Sequence, residues 1–170
     1  MDLTAYVRDI ADFPIAGVQF KDITPLLANG PAFRAAIDAL TERTRDLRAD
    51  VVVAMEARGF LFAAPLAYAL DLGFVPVRKQ GKLPSQALSI EYALEYGSAV
   101  VEIHRDAILA GQRVLIVDDV LATGGTAAAA VSLIEQLGGQ VAALAFVIEL
   151  EFLNGRAKLG QQPIVSLIQY

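Results

Sequence analysis

The chain has 170 residues, 55 % of them hydrophobic and 19 % charged, with a net charge of −5, one histidine and no cysteine. That is one domain's worth of polypeptide, and its apolar share excludes a disordered or low-complexity chain. Disulfides, thiolate zinc sites and thiol nucleophiles are excluded with cysteine, a lone histidine argues against a Ser-His-Asp triad, and the negative balance predicts no nucleic-acid partner.

At the N-terminus Met1-Asp2-Leu3-Thr4 has no basic segment before an apolar block, so no secretory signal is expected and a cytoplasmic location is. Residues 12–27 carry Phe13-Pro14, Gly17 and Thr24-Pro25, too much punctuation for one regular element, and read as a flap. Asn29-Gly30-Pro31 is a helix start, followed by Phe33, Ala36, Ile37, Leu40 and Leu47 at helical spacing. Val51–Met55 is wholly apolar and suits a strand covered on both faces. A helix over about 60–70 ends before Gly73, and Phe74–Val77 is the next strand. Residues 79–103, with Gly81, Pro84 and Gly97, read as an inserted hairpin or flexible loop.

Val114–Val117 is a third strand, Ala127–Leu137 a helix closed by Gly138-Gly139, Val141–Ile148 a fourth strand and Ile164–Ile168 a fifth. The longest stretch without a charge, Val120–Ile134, contains Thr123-Gly124-Gly125-Thr126; a membrane span needs about 20 apolar residues, so none is expected. The β-α-β rhythm predicts one α/β domain over 1–170: a mainly parallel sheet flanked by helices, with an N-terminal flap and an excursion before the third strand.

The chemistry concentrates after the third strand, in Asp118-Asp119-Val120-Leu121-Ala122-Thr123-Gly124-Gly125-Thr126. Ligands of open α/β sheets bind beyond the carboxyl ends of the strands. A helix N-terminus there offers unpaired N–H groups and the positive end of the helix dipole, which favour a phosphate. Asp118 and Asp119 would repel that phosphate, so their task is to accept from sugar hydroxyls or to coordinate Mg2+ directly or through water. A phosphate cradle beside a diol clamp describes a ribose 5-phosphate. Neither a P-loop nor a dinucleotide fingerprint is present.

This segment resembles the phosphoribosyl-pyrophosphate signature of the type I phosphoribosyltransferases. Four further segments resemble, in order and spacing, the adenine phosphoribosyltransferase family: Phe13-Pro14 to Thr24-Pro25, Glu56-Ala57-Arg58-Gly59-Phe60, Arg78-Lys79-Gln80-Gly81-Lys82-Leu83-Pro84 and Leu94-Glu95-Tyr96-Gly97. The resemblance covers the chain from about residue 10 to its end.

It implies transfer of a 5-phosphoribosyl group from phosphoribosyl pyrophosphate to adenine, giving AMP and pyrophosphate, with Mg2+ bridging pyrophosphate and ribose. Ala122 to Thr126 then hold the 5-phosphate. Glu56, Ala57, Arg58 and Gly59 form the pyrophosphate loop, with a cis peptide implied at Glu56-Ala57, and Arg58 serves the chemical step. Arg78, Lys79 and Lys82 supply further cations for pyrophosphate. Glu95, on the flexible loop with Tyr96, takes or shares a proton on the purine. Gln19, Phe20 and Lys21 recognise the base, Phe20 by stacking. Position 21 is lysine where the family usually has arginine, and lysine lacks the planar fork, which leaves a backbone role.

Two alternatives stay open: another purine base, or a regulator of the same fold that senses phosphoribosyl pyrophosphate. Against a 6-oxo purine, the segment Val147-Ile148-Glu149-Leu150-Glu151 is acidic where such relatives carry a lysine. The apolar excess and the resemblance both imply a homodimer.

Overall fold

A computed structural model describes residues 1–93 and 97–170. Two compact units emerge, Met1–Ala39 and Leu40–Tyr170, with one helix running across the boundary.

In the first unit, β1 (Arg8–Ala11) pairs antiparallel with β2 (Gln19–Asp22), facing Asp9 with Lys21, Ile10 with Phe20 and Ala11 with Gln19. The connection turns through a cis Phe13-Pro14 bond and Gly17 at φ +86°, whose N–H donates to Asp12 Oδ1 at 2.7 Å. Strand β1 lies outside the expected flap of 12–27, because four residues with no alternation give no periodic signal. After β2 comes the short helix α1 (Thr24–Ala28), where Asp22 accepts from the Thr24 N–H at 2.9 Å just ahead of the first turn. Asn29 caps the next helix, α2 (Gly30–Thr44), by accepting from the Ala32 N–H at 3.0 Å.

The second unit is built on β3 (Val51–Met55), α3 (Arg58–Leu70), β4 (Gly73–Lys79), β5 (Ala87–Ala93), β6 (Ser98–His104), β7 (Arg113–Leu121), α4 (Gly125–Gln136), β8 (Gln140–Glu149) and β9 (Ile164–Gln169). These strands form a seven-stranded sheet in the order β5-β6-β4-β3-β7-β8-β9. From β4 to β9 the pairs are parallel; β6 joins β4 and β5 antiparallel. Every residue of β3 is buried, as an apolar run in a covered parallel sheet requires. Helix α4 sets Ala127, Ala130, Leu133 and Ile134 on the sheet face that carries Val53, Met55, Ile116 and Phe146. Helix α3 contacts β3 and β7.

The excursion over 79–103 carries an antiparallel pair, β5 on β6, as an inserted hairpin would, and this pair extends the sheet edge through Arg78–Glu102 and Lys79–Val101 register pairs. One expectation needs correction. The third strand does not end at Val117 but runs to Leu121, so Asp118 and Asp119 lie within it. Pairing to the long apolar β8 carries β7 onward despite its carboxylates. Among the described residues no helix is long and apolar enough to cross a membrane.

Candidate active site

The parallel strands of the second unit end on a common edge, and the sequence-selected residues of that unit gather there. Beyond β3, Glu56 and Ala57 are joined by a cis peptide. Glu56 accepts from Arg78 Nε at 3.2 Å and Nη2 at 3.4 Å, and from the Lys79 backbone N–H at 3.0 Å. The Arg78 guanidinium first, then the Lys79 N–H, hold the Glu56 carboxyl below its usual range. Arg78 also reaches the Lys82 carbonyl at 3.3 Å. Its guanidinium therefore braces the loop, while the Lys79 and Lys82 side chains stand exposed.

Arg58 opens α3 and its Nε donates to Asp119 Oδ2. Asp119 is only 4 % exposed, so it is a buried carboxylate satisfied by a charge-assisted bond. Asp118, half-buried, accepts the Asp119 N–H on Oδ1 at 2.9 Å. Burial pushes the Asp118 carboxyl well above its usual range, and the neighbouring Asp119 charge adds to the rise. The pair lies inside β7 rather than beyond its end, with Asp119 buried and Asp118 half-buried against the first turn of α3. Gly59 explains how: a Cβ there would lie 2.8 Å from Asp118 Oδ1 and 3.1 Å from the Val117 carbonyl.

After β7 the chain turns through Ala122 and Thr123 into Gly124, at φ +80°, which caps α4. Glycine is required twice over here, by the left-handed backbone and because a Cβ would strike the Gly155 carbonyl. Among the described residues no side chain caps the helix, and a helix start left uncapped in this way has first-turn N–H groups to offer an anion. The Thr126 hydroxyl meets the Tyr92 hydroxyl at 3.3 Å. A cavity of about 450 Å³ is lined by Glu56, Lys79, Tyr92 and Thr126 among others, which brings the loop after β3 and the start of α4 to one opening.

Among the described residues, no three histidine, cysteine or acidic side chains converge as a metal cage. The donors present, two adjacent aspartates of which one is tied to Arg58, fit a hard cation held mostly by other oxygens. In the first unit, Lys21 Nζ pairs with Asp9 at 2.5 Å and the Phe20 ring meets Phe13 edge-on at 5.1 Å. Gln19 is exposed at the start of β2. Glu95 and Tyr96 lie outside the described residues.

Sequence reading passed over Tyr92 and Gly155. Tyr92 sits two residues before the Leu94-Glu95-Tyr96 segment and shares its pattern, which was a usable signal. Gly155 had none, since its partners Ala122 and Gly124 lie more than thirty residues upstream.

The model of the phosphoribosyl transferase domain matches residues 23–160. An adenine phosphoribosyltransferase of Chloroflexus aurantiacus is 60 % identical over 169 residues, covering 99 % of this chain and 98 % of that protein. The chain belongs to the adenine phosphoribosyltransferase family. Another member, from Carboxydothermus hydrogenoformans, is 58 % identical with both chains fully covered. The solved structure of the Thermoanaerobacter pseudethanolicus adenine phosphoribosyltransferase superposes with a TM-score of 0.97 at 54 % identity, covering 99 % of this chain and 98 % of that one. The Saccharomyces cerevisiae enzyme, solved with adenine and an imino-altritol bisphosphate, gives a TM-score of 0.92 at 45 % identity, covering 98 % and 96 %. Family membership and the type I phosphoribosyltransferase fold are thus established for the whole chain.

Proposed function

We propose that this chain transfers the 5-phosphoribosyl group of phosphoribosyl pyrophosphate to adenine, giving AMP and pyrophosphate. The observation that carries the reading is the juxtaposition at one sheet edge of Asp118 and Asp119, the uncapped α4 start and the Glu56–Arg58 loop. Such a triplet meets the three charged or hydroxylated parts of a phosphoribosyl donor. The family's named activity supports the same substrates.

In this reading the Gly124, Gly125 and Thr126 N–H groups and the Thr123 and Thr126 hydroxyls bind the 5-phosphate. Asp118 and Asp119 accept from the ribose hydroxyls, and Arg58 links that carboxylate pair to the pyrophosphate loop. Glu56 fixes Arg78, so the nearby backbone N–H groups and Lys79 or Lys82 face the departing pyrophosphate. The reacting base and sugar carbon are held in line, and no covalent nucleophile is required. Glu95 takes or shares the proton on the purine, with Tyr96 beside it. Base recognition falls to Gln19, Phe20 and Lys21; because the Lys21 ammonium is engaged by Asp9, its part is assigned to its backbone. Mg2+ fits Asp118 and Asp119 as partial ligands and would neutralise charge on the leaving pyrophosphate.

Pyrophosphate release from phosphoribosyl pyrophosphate, measured with each purine base in turn, should be fastest with adenine, by about 10²-fold or more over hypoxanthine. Comparable rates with hypoxanthine would overturn the base assignment, and no release with any base would leave a sensing regulator.

The working unit is proposed to be a cytoplasmic homodimer. Leu61 and Tyr68, 46 % and 89 % exposed, lie seven residues apart on one face of α3, an apolar strip suited to a second copy. Specific activity should fall on dilution as sedimentation shows dissociation. A species of 18.1 kDa with full activity would defeat this.

A further inference from the structure

The 5-phosphate loop leans on a part of the chain that no local motif announces. Following β8, two short 3-10 turns, Glu151–Leu153 and Gly155–Lys158, carry the chain back beneath the loop. Gly155 is buried there, and a Cβ on it would strike the Ala122 carbonyl and come within 3.1 Å of the Gly124 nitrogen. A Cβ on Gly124 would in turn strike the Gly155 carbonyl. Backbone thus packs on backbone, at the two residues that flank Thr123.

The turn is itself held from one side. Arg156, the next residue, donates from Nε to Glu149 Oε1 at 2.5 Å and from Nη2 to Glu149 Oε2 at 2.6 Å. Ser166 Oγ donates to the same Oε2 at 2.6 Å. Glu149 is 3 % exposed and closes β8 opposite Leu121, the last residue of β7. The following Leu150 N–H donates to the Leu121 carbonyl at 2.9 Å. So one buried carboxylate is tied both to the strand that leads into the phosphate loop and to the turn that supports it. A bidentate arginine pair has the fixed planar geometry that such registration needs.

We propose that the Glu149–Arg156 pair, acting through Gly155, is a positioning device that sets the shape of the Ala122–Thr126 loop for the 5-phosphate. This rests on the reading of that loop as the phosphate site. Neither residue touches substrate; both act through the Gly155 backbone. A loop held in its binding shape before the ligand arrives does not lose ordering entropy on binding, so loosening the clamp should weaken the phosphate end selectively. The pyrophosphate loop after β3 has its own brace, Arg78 on Glu56, and should be left intact.

The test is calorimetric titration of the full chain with ribose 5-phosphate and, separately, with pyrophosphate. It is repeated for Arg156→Gln, Arg156→Lys and Ser166→Ala, with steady-state kinetics and melting alongside. Arg156→Gln should weaken ribose 5-phosphate about tenfold or more while pyrophosphate stays within about twofold. Its KM for phosphoribosyl pyrophosphate should rise with KM for adenine unchanged, and Arg156→Lys should recover part of the loss. Unchanged ribose 5-phosphate affinity in a folded Arg156→Gln overturns the proposal. So does an equal loss of both ligands, which would mark a merely structural pair. If Arg156→Gln does not fold, Ser166→Ala decides by the same split, and its absence counts against the clamp. Should the wild-type chain itself not bind ribose 5-phosphate, the phosphate-loop reading falls and the clamp's role with it. If wild type binds and the variants match it, the clamp alone falls.

Discussion

Asp118→Asn and Asp119→Asn should each reduce turnover about 10²-fold or more, as loss of a preorganised charged group does, yet shift stability in opposite directions. Asp119 is buried and accepts from Arg58, so its asparagine gives up a charge-assisted bond. Such a bond contributes about 1.5–3 kcal/mol when sheltered and less where the partner is exposed, as Arg58 is; a loss of about 1 kcal/mol is expected. Asp118 is the reverse case. Burial and the Asp119 charge raise its carboxyl in the folded chain, so the native state binds a proton more tightly than the unfolded one. The stability from that proton is fully present below the unfolded value of about 4 and is lost as pH rises through the folded one. The neutral amide of Asp118→Asn would mimic the protonated form at every pH. That variant should therefore melt with the wild type below about pH 4 and above it at neutral pH, the gap opening between the two pKa values. Comparing the two proteins pH by pH separates this from Glu56 and Glu149, whose depressed carboxyls act in the opposite sense in both. A neutral-pH melting point for Asp118→Asn at or below wild type would refute the burial argument. Near wild-type turnover in both variants would refute the assignment of the pair to ligand.

That contrast also marks what the residues alone could tell. Elements with a strong period or an unbroken apolar run, such as β3, β8 and α4, fall close to their expected bounds because burial on two faces leaves a one-dimensional trace. Loop chemistry was equally legible where it is local: Gly124 to Thr126 open a helix, and a helix start can be read from adjacent residues. What escaped is set across the sheet. Residues 118 and 119 lie inside β7 because β8 supplies partners, and the excursion joins the sheet because β4 offers it an edge. Gly155, Arg156 and Glu149 bear on the phosphate loop through contacts seven to thirty-three residues apart in sequence, for which no periodicity exists. The cis peptide at Glu56-Ala57 was reachable only through the family resemblance, since nothing in the composition of those residues requires it.

Gly59→Ala should combine a modest loss of stability with a large loss of activity, and it tests a residue chosen from sequence for a different reason. The family resemblance placed this glycine, with Arg58, in the pyrophosphate loop. Its surroundings give it a second task, because the first turn of α3 rests directly on β7. In an ordinary helix the change to alanine gains up to about 1 kcal/mol. Here the new methyl would sit 2.8 Å from Asp118 Oδ1, 3.1 Å from the Val117 carbonyl and 3.3 Å from the Asp118 Cα. The carboxylate end of a side chain can move aside; the Val117 and Asp118 backbone sits in the middle of a seven-stranded sheet and cannot do so cheaply. Overpacking of this kind costs about 1–3 kcal/mol, so the helical gain is outweighed and the melting point should fall. The easier movement is α3 tilting off β7 at its N-terminus, which would carry Arg58 away from Asp119 and Asp118 out of register with the phosphate loop. A displacement of about 1 Å in positioning groups is enough to lower turnover ~10²-fold, far more than the stability change alone would remove at room temperature. Both readouts are needed. A variant that melts at or above wild type and keeps its turnover would show that α3 does not hold Asp118 and Arg58 in place.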